Sequence, residues 1–186
     1  MKKIYLFIGI ILTIILFSCQ NKQEKQGQIS SLESLDAKIE ETTLSNKVED
    51  IDLMKISRLT QSQYDSLQLS KVKELQGYDI ADLTMGRILL NNDFGKMVTV
   101  QIITDGEITE LLLSYDKNGN LVDNLIVAYE DLVEYYKEVT SSINSNKITV
   151  QTINFNYYDV GSNTIETADT IRTNYQITPE LRFIID

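Results

Sequence analysis

The stretch that decides the fold is Val98-Thr99-Val100-Gln101-Ile102-Ile103-Thr104-Asp105-Gly106, followed by Glu107-Ile108-Thr109-Glu110-Leu111-Leu112-Leu113-Ser114-Tyr115-Asp116-Lys117-Asn118-Gly119. Val98, Val100 and Ile102 alternate with Thr99, Gln101 and Ile103, the period of a strand. Asp105-Gly106 then separates two apolar runs, a strong short-range hairpin signal. Leu111, Leu113 and Tyr115 share the next face, and Asp116-Lys117-Asn118-Gly119 turns the chain again. Short turns of this kind require antiparallel neighbours.

The pattern extends outward in both directions. Upstream, Ile88 and Leu90 share a strand face before a turn at Asn91-Asn92-Asp93-Phe94-Gly95. Downstream, Leu121, Leu125, Val127 and Tyr129 share one side, with Asp123 out of place among them. A bulge or a nearby strand end would accommodate that carboxylate. The segment from Glu130 to Ile143 suits a helical turn as well as a strand, because short apolar runs are ambiguous. After a turn at Asn144-Ser145-Asn146-Lys147, Ile148 and Val150 and then Ile153, Phe155 and Tyr157 predict one long strand. Its apolar face changes midway, which predicts a bulge or coil near Thr152. Asp159 to Asn163 reads as a turn, Ile171 to Ile177 as a strand, Thr178-Pro179-Glu180 as a break, and Leu181 to Ile185 as a last short strand.

Before the meander, Asp52 to Arg58 alternates well enough for a short strand. Thr60-Gln61-Ser62-Gln63 has the form of a capping box, predicting a helix from Gln61 to Leu75 or a shorter one with a break. Gly77 stands where such a helix would end. The expected fold is mainly β with a minor α part: an antiparallel β-meander or small open barrel of about six to eight strands, with one N-terminal helix.

The chain has 186 residues and a formal charge of −10, with no histidine and no tryptophan. Missing histidine removes Ser-His-Asp and Cys-His catalysis and the commonest zinc ligand. Such acidity repels phosphate backbones and anionic headgroups, so no nucleic-acid partner is expected.

At the other end, Met1-Lys2-Lys3 precedes a run from Ile4 to Phe17 that is apolar but for Tyr5, Gly9 and Thr13. A charged start, an apolar run and a small residue before a cut describe a secretory signal peptide. As a helix the run would reach only about 21 Å against a hydrocarbon core of about 30 Å, which argues against a permanent span. Cleavage before Cys19 would remove Lys2 and Lys3, leaving 15 basic against 27 acidic residues, a formal charge of −12. Gln20 to about Ser31 is polar enough to stay solvated. Ser30 to about Asn46, with Leu32, Leu35 and Ile39 at helical spacing but weak periodicity beyond, reads as a short or frayed helix or as extended tether able to dock on the domain. The expected organisation is a signal peptide over 1–18, a modified cysteine and polar tether over 19–50, and a single β-rich domain over 51–186.

Leu16-Phe17-Ser18-Cys19 resembles the lipobox of bacterial lipoproteins, with a bulkier Phe17 than usual, as in the looser lipoboxes of Bacteroidetes. The resemblance implies cleavage between Ser18 and Cys19 and a covalent lipid on Cys19, with no other cofactor. It implies attachment to the cell envelope through that anchor, in the outer membrane of a Gram-negative bacterium. Two or three acyl chains hold firmly, since each buried CH₂ contributes about 0.8 kcal/mol. Residues Glu110 to Asp123 and Tyr175-Gln176-Ile177 also resemble, loosely, hairpins of small uncharacterised Bacteroidetes lipoproteins, implying a shared fold and no activity.

Few other residues suggest chemistry. Asp116, Asn118 and Asn120 have the first spacings of a calcium loop, but Leu121 and Val127 stand where glycine and glutamate are needed, so a hairpin turn is the better reading. Glu107, Glu110, Glu130, Asp131 and Glu134 supply carboxylates for a hydrolase only if two lie about 5–10 Å apart. Tyr135-Tyr136 and Tyr157-Tyr158 are adjacent aromatic pairs, and on strands one of each faces outward as a candidate binding surface. The expected function is a non-enzymatic, lipid-anchored module that binds an envelope protein or plays a structural part. The alternatives are carbohydrate binding through the tyrosines and, behind it, a carboxylate-based hydrolase.

Overall fold

The computed structural model describes residues 42–44, 56–131, 133–134, 136–160 and 163–186. Among the described residues, nine strands form one antiparallel sheet: β1 (Thr42–Leu44), β2 (Leu83–Asn92), β3 (Gly95–Ile103), β4 (Glu107–Asp116), β5 (Leu121–Asp131), β6 (Lys137–Asn144), β7 (Lys147–Val160), β8 (Asn163–Ile177) and β9 (Phe183–Ile185). From β2 to β9 the sheet follows chain order, as tight turns between antiparallel neighbours dictate. The expected open meander is therefore the observed one.

The sheet curls around its inner face. Leu90, Met97, Leu112, Val127, Val139, Ile143, Ile148, Val150 and Ile177, drawn from β2 to β8, bury together there with Leu44 and Leu181. The outer face of β2 to β4 is covered by residues 59–80. Leu59, Leu67, Leu69, Val72 and Leu75 pack on Leu83, Val98, Val100, Ile102, Leu111, Leu113 and Tyr115. Central strand β4 is thus buried on both faces, and from Ile108 to Tyr115 every residue is inaccessible. The Tyr115 hydroxyl, inside this layer, donates to the Leu67 carbonyl at 2.8 Å.

The covering segment is less helical than one long helix. Helix α1 runs only over Gln61–Ser66, opened by the expected capping box: the Thr60 amide donates to Gln63 Oε1 at 2.9 Å and the Gln63 amide to Thr60 Oγ1 at 3.3 Å. Gln68 then adopts a left-handed backbone, and 3-10 turns follow at Leu69–Lys71 and Lys73–Leu75. Breaking the helix lets Leu67, Leu69, Val72 and Leu75 all reach the sheet, which a single helical stripe over that interval would not. Of the strand expected over Asp52 to Arg58, residues 52–55 lie outside the described residues, and Arg58 forms one bridge with Thr84.

Three further differences are instructive. Thr42–Leu44, expected in a tether able to dock on the domain, pairs with Ser141–Ile143 of β6 and buries Leu44 completely. The ambiguous stretch after Glu130 is strand on both sides of a bend, because β5 pairs with β6 at Tyr129–Val139 and Glu130–Glu138. The bulge or coil expected near Thr152 is missing: β7 and β8 pair at every position from Lys147–Gln176 to Val160–Asn163. The face switch has another cause. Ile148 and Val150 point into the core, while Ile153, Phe155 and Tyr157 lie on the opposite face, where the hairpin runs on past the core.

A bulge does occur at Asp123, between the pairs Ser114–Asp123 and Tyr115–Leu121. Its carboxylate accepts the Phe183 amide at 2.9 Å, while Ser114 Oγ donates to the Leu181 carbonyl at 2.7 Å. These bonds bind the C-terminal segment across the end of the sheet. Gly95 has φ +154°, and a side chain there would drive into the Tyr115 carbonyl and Leu181.

Candidate functional site

The β7–β8 hairpin and the bend between β5 and β6 together form the site. Tyr136, just before β6, is 52% exposed, and Tyr157 on β7 is 40% exposed. Their ring centroids lie 6.0 Å apart with planes tilted by 53°, within the range of favourable aromatic pairing. The backbone sets this up: the Phe155 amide donates to the Tyr136 carbonyl at 2.8 Å, continuing the β6–β7 ladder one residue beyond Lys137–Asn154.

Beside the pair lies a groove of about 290 Å³ lined by Glu130, Asp131, Lys137, Glu138, Phe155, Tyr157 and Glu166. Its lining holds four acidic residues and one lysine, and the Asp131 carboxylate also accepts the Val133 and Glu134 amides of the bend at 3.0 and 2.9 Å. Glu166 stands directly across the ladder from Tyr157. The Tyr157 hydroxyl is held above its ordinary range by desolvation, then by the charges of Glu166 and Tyr136. The Lys137 ammonium lies 5.5 Å from the centroid of the Tyr129 ring, a cation–π contact on the groove wall.

Tyr129 leads to a second cluster. Its hydroxyl donates to Glu107 Oε2 at 3.1 Å, and that of Tyr78 to Glu107 Oε1 at 2.7 Å. Both tyrosines are pushed up to about 12: Tyr78 first by its hydrogen bond to Glu107, Tyr129 first by desolvation and then by the same bond. Ionising either phenol would place an anion against this carboxylate. The cluster ties the covering segment, through Tyr78, to β4 and β5.

Of the sequence-predicted residues, the structure brings Tyr136 and Tyr157 together. Ser18, Cys19 and Tyr135 lie outside the described residues, while Tyr158 is placed in β7 by its pairing with Ile165. Among the candidate carboxylates, Glu130 and Asp131 line the groove, and Glu107 stands opposite Asp131 in the β4–β5 ladder. Glu110 is fully buried within β4, and Glu134 sits in the exposed bend. Glu138 and Glu166 were not singled out from sequence; they read as ordinary solvent-side acids, and only the strand register carries them to the aromatic pair.

The Asp116 turn is closed on itself. Its carboxylate accepts the Asn118 and Asn120 amides, both at 2.8 Å, and the Asn120 side chain at 3.0 Å. Those bonds hold the carboxyl below its ordinary range, led by the Asn120 side chain. Among the described residues, no group of three or more acidic, cysteine or histidine side chains is placed to hold a metal ion. A second hollow of about 330 Å³ lies by the β2–β3 and β4–β5 turns, with Lys96, Lys117 and Asp116 on its rim.

Comparison with family models, curated proteins and solved structures returns no match for this chain.

Proposed function

We propose that this protein is a lipid-anchored component of the bacterial cell envelope, held through Cys19 and acting as a non-enzymatic binding module. Its ligand is a basic segment of another envelope protein, received in the groove beside Tyr136 and Tyr157. The observation that carries this reading is the exposed aromatic pair beside a groove lined by four acidic residues and one lysine. Exposed tyrosines supply large contact area at small entropic cost, and acidic side chains around them select a cationic visitor. The 53° tilt gives the two rings no common flat platform, which favours a side chain entering between ring and carboxylate over a sugar stacked across both.

In-cell cross-linking from the groove tests the proposal. The double substitution Tyr136→Ala, Tyr157→Ala is expected to reduce capture of a basic protein segment by about tenfold or more, the loss of one binding hot spot. Undiminished capture by the double variant, or capture of glycan alone, sinks the protein-binding reading. The anchor has a separate test. Cys19→Ala is expected to move the protein from the membrane to the soluble envelope fraction, and retention at the membrane would refute lipid attachment.

A further inference from the structure

Among the described residues, strand pairing on the outer edge of β8 is confined to its last three positions. β7 pairs with it along its length, whereas β9 covers only Tyr175–Ile177. Backbone alternation settles which groups face outward. Because the Phe155 amide bonds toward β6, odd residues of β7 turn their polar groups to β6 and even residues turn theirs to β8. Carried through the register, Thr167, Asp169 and Ile171 address β7, while Glu166, Ala168, Thr170 and Arg172 direct their amides and carbonyls outward. Asn174 belongs to the outward series, and its carbonyl does accept the Asp186 amide on the β9 side, at 3.0 Å.

Exposed edges are usually blunted by proline, charged side chains (lysine above all), bulges or shortness, and of these β8 carries the charges of Glu166, Asp169 and Arg172. β8 has fifteen residues with neither proline nor lysine, and its ladder to β7 has no register shift. Ile171 stands 56% exposed on it.

We propose that the β8 edge pairs antiparallel with β8 of a second copy, about a two-fold axis at Ala168. Three observations select that partner and that register. Two identical antiparallel strands pair symmetrically only when one residue faces itself, and Ala168, small and outward-bonding, can do so. Among the described residues, no strand pairs with β8 on its outer side from Asn163 to Asn174, a run centred beside Ala168. With Ala168 on the axis, Glu166 faces the partner's Thr170 and lies diagonal, on one face, to the partner's Arg172; symmetry repeats the pair. Shifting the axis to Asp169 would oppose two carboxylates directly and would engage Asn174, whose carbonyl is already taken. Shifting it to Thr167 would bring the two Glu166 side chains diagonal to each other. The axis stands normal to the sheet, so both Tyr136–Tyr157 pairs face the same side, a bivalent surface for the partner proposed above. The strand pairing itself does not depend on that reading.

Disulfide trapping in the full chain carrying Cys19→Ser tests the proposal. Under mild oxidation, Ala168→Cys is expected to give a covalent dimer on non-reducing electrophoresis, since facing residues in such a pair lie about 5.5 Å apart at Cα, within disulfide range. Thr170→Cys alone is expected to dimerise about tenfold less, because it lies four residues out of register with itself, roughly 13 Å away. Mixed with Glu166→Cys it should form the heterodimer. Ala168→Pro removes only an outward amide, so it should keep the fold by circular dichroism yet abolish chemically cross-linked dimer. Equal trapping at all positions, no trapping at Ala168→Cys, or a folded Ala168→Pro chain that still dimerises would overturn the proposal.

Discussion

β4 and β8 belong to one sheet and differ in almost every physical respect. β4 lies between two apolar layers, so from Ile108 to Tyr115 it is buried on both faces. β8 pairs with β7 just as regularly, but the described residues from Thr164 to Arg172 are exposed. Hydrogen-bonded pairing alone adds little net stability, because water competes for the same groups. The doubly covered half holds the molecule together, and the hairpin is free to carry binding surface at small energetic cost.

That contrast can be broken by substitution. Leu112→Ala in β4 is expected to cost about 2–5 kcal/mol, the transfer loss plus the cavity left in a core that cannot collapse fully. A denaturation midpoint unchanged by it would mean that the two apolar layers do not hold the fold. Next in size is an alkaline transition at the Tyr78–Glu107–Tyr129 cluster. Both phenols titrate higher in the folded chain than in the unfolded one, so their contribution is intact below pH about 10 and fades as pH rises through about 12. Thermal melts across that window should fall, and Glu107→Gln should bring tyrosinate absorbance on at lower pH. Absorbance unmoved by Glu107→Gln would assign the shift to burial alone. The smallest effect belongs to the hairpin. Ile171→Ala is expected to stay within about 0.5 kcal/mol, as for an exposed position with no packing to lose. A cost comparable to that of Leu112→Ala would show that the Ile171 side chain is packed in solution.

Much of the fold was legible along the chain, wherever local signals and core-facing alternation agreed. Asp105-Gly106, Asp116 to Gly119 and the alternating runs between them located β3, β4 and β5, and Asp123 pointed to a bulge or a strand end, of which the structure has the bulge. The capping box at Thr60 was legible too, but the length of α1 was not: the break at Gln68 serves the sheet beneath it. The first half of β8 gave no apolar period, because neither of its faces is buried; only its register with β7 makes it a strand. The candidate site divides in the same way. Tyr136 and Tyr157 stood out as aromatics, whereas Glu138 and Glu166 became part of a site only through that register.

By itself the sequence determined the antiparallel order of the meander, since turn chemistry and strand period are local and bind neighbours to neighbours. Only the tertiary structure decided that β4 is covered twice, that Leu44 belongs to the core, and that two tyrosines twenty-one positions apart meet over an acidic groove. Those outcomes depend on which face finds cover, a property of the packed sheet that no short window of residues contains.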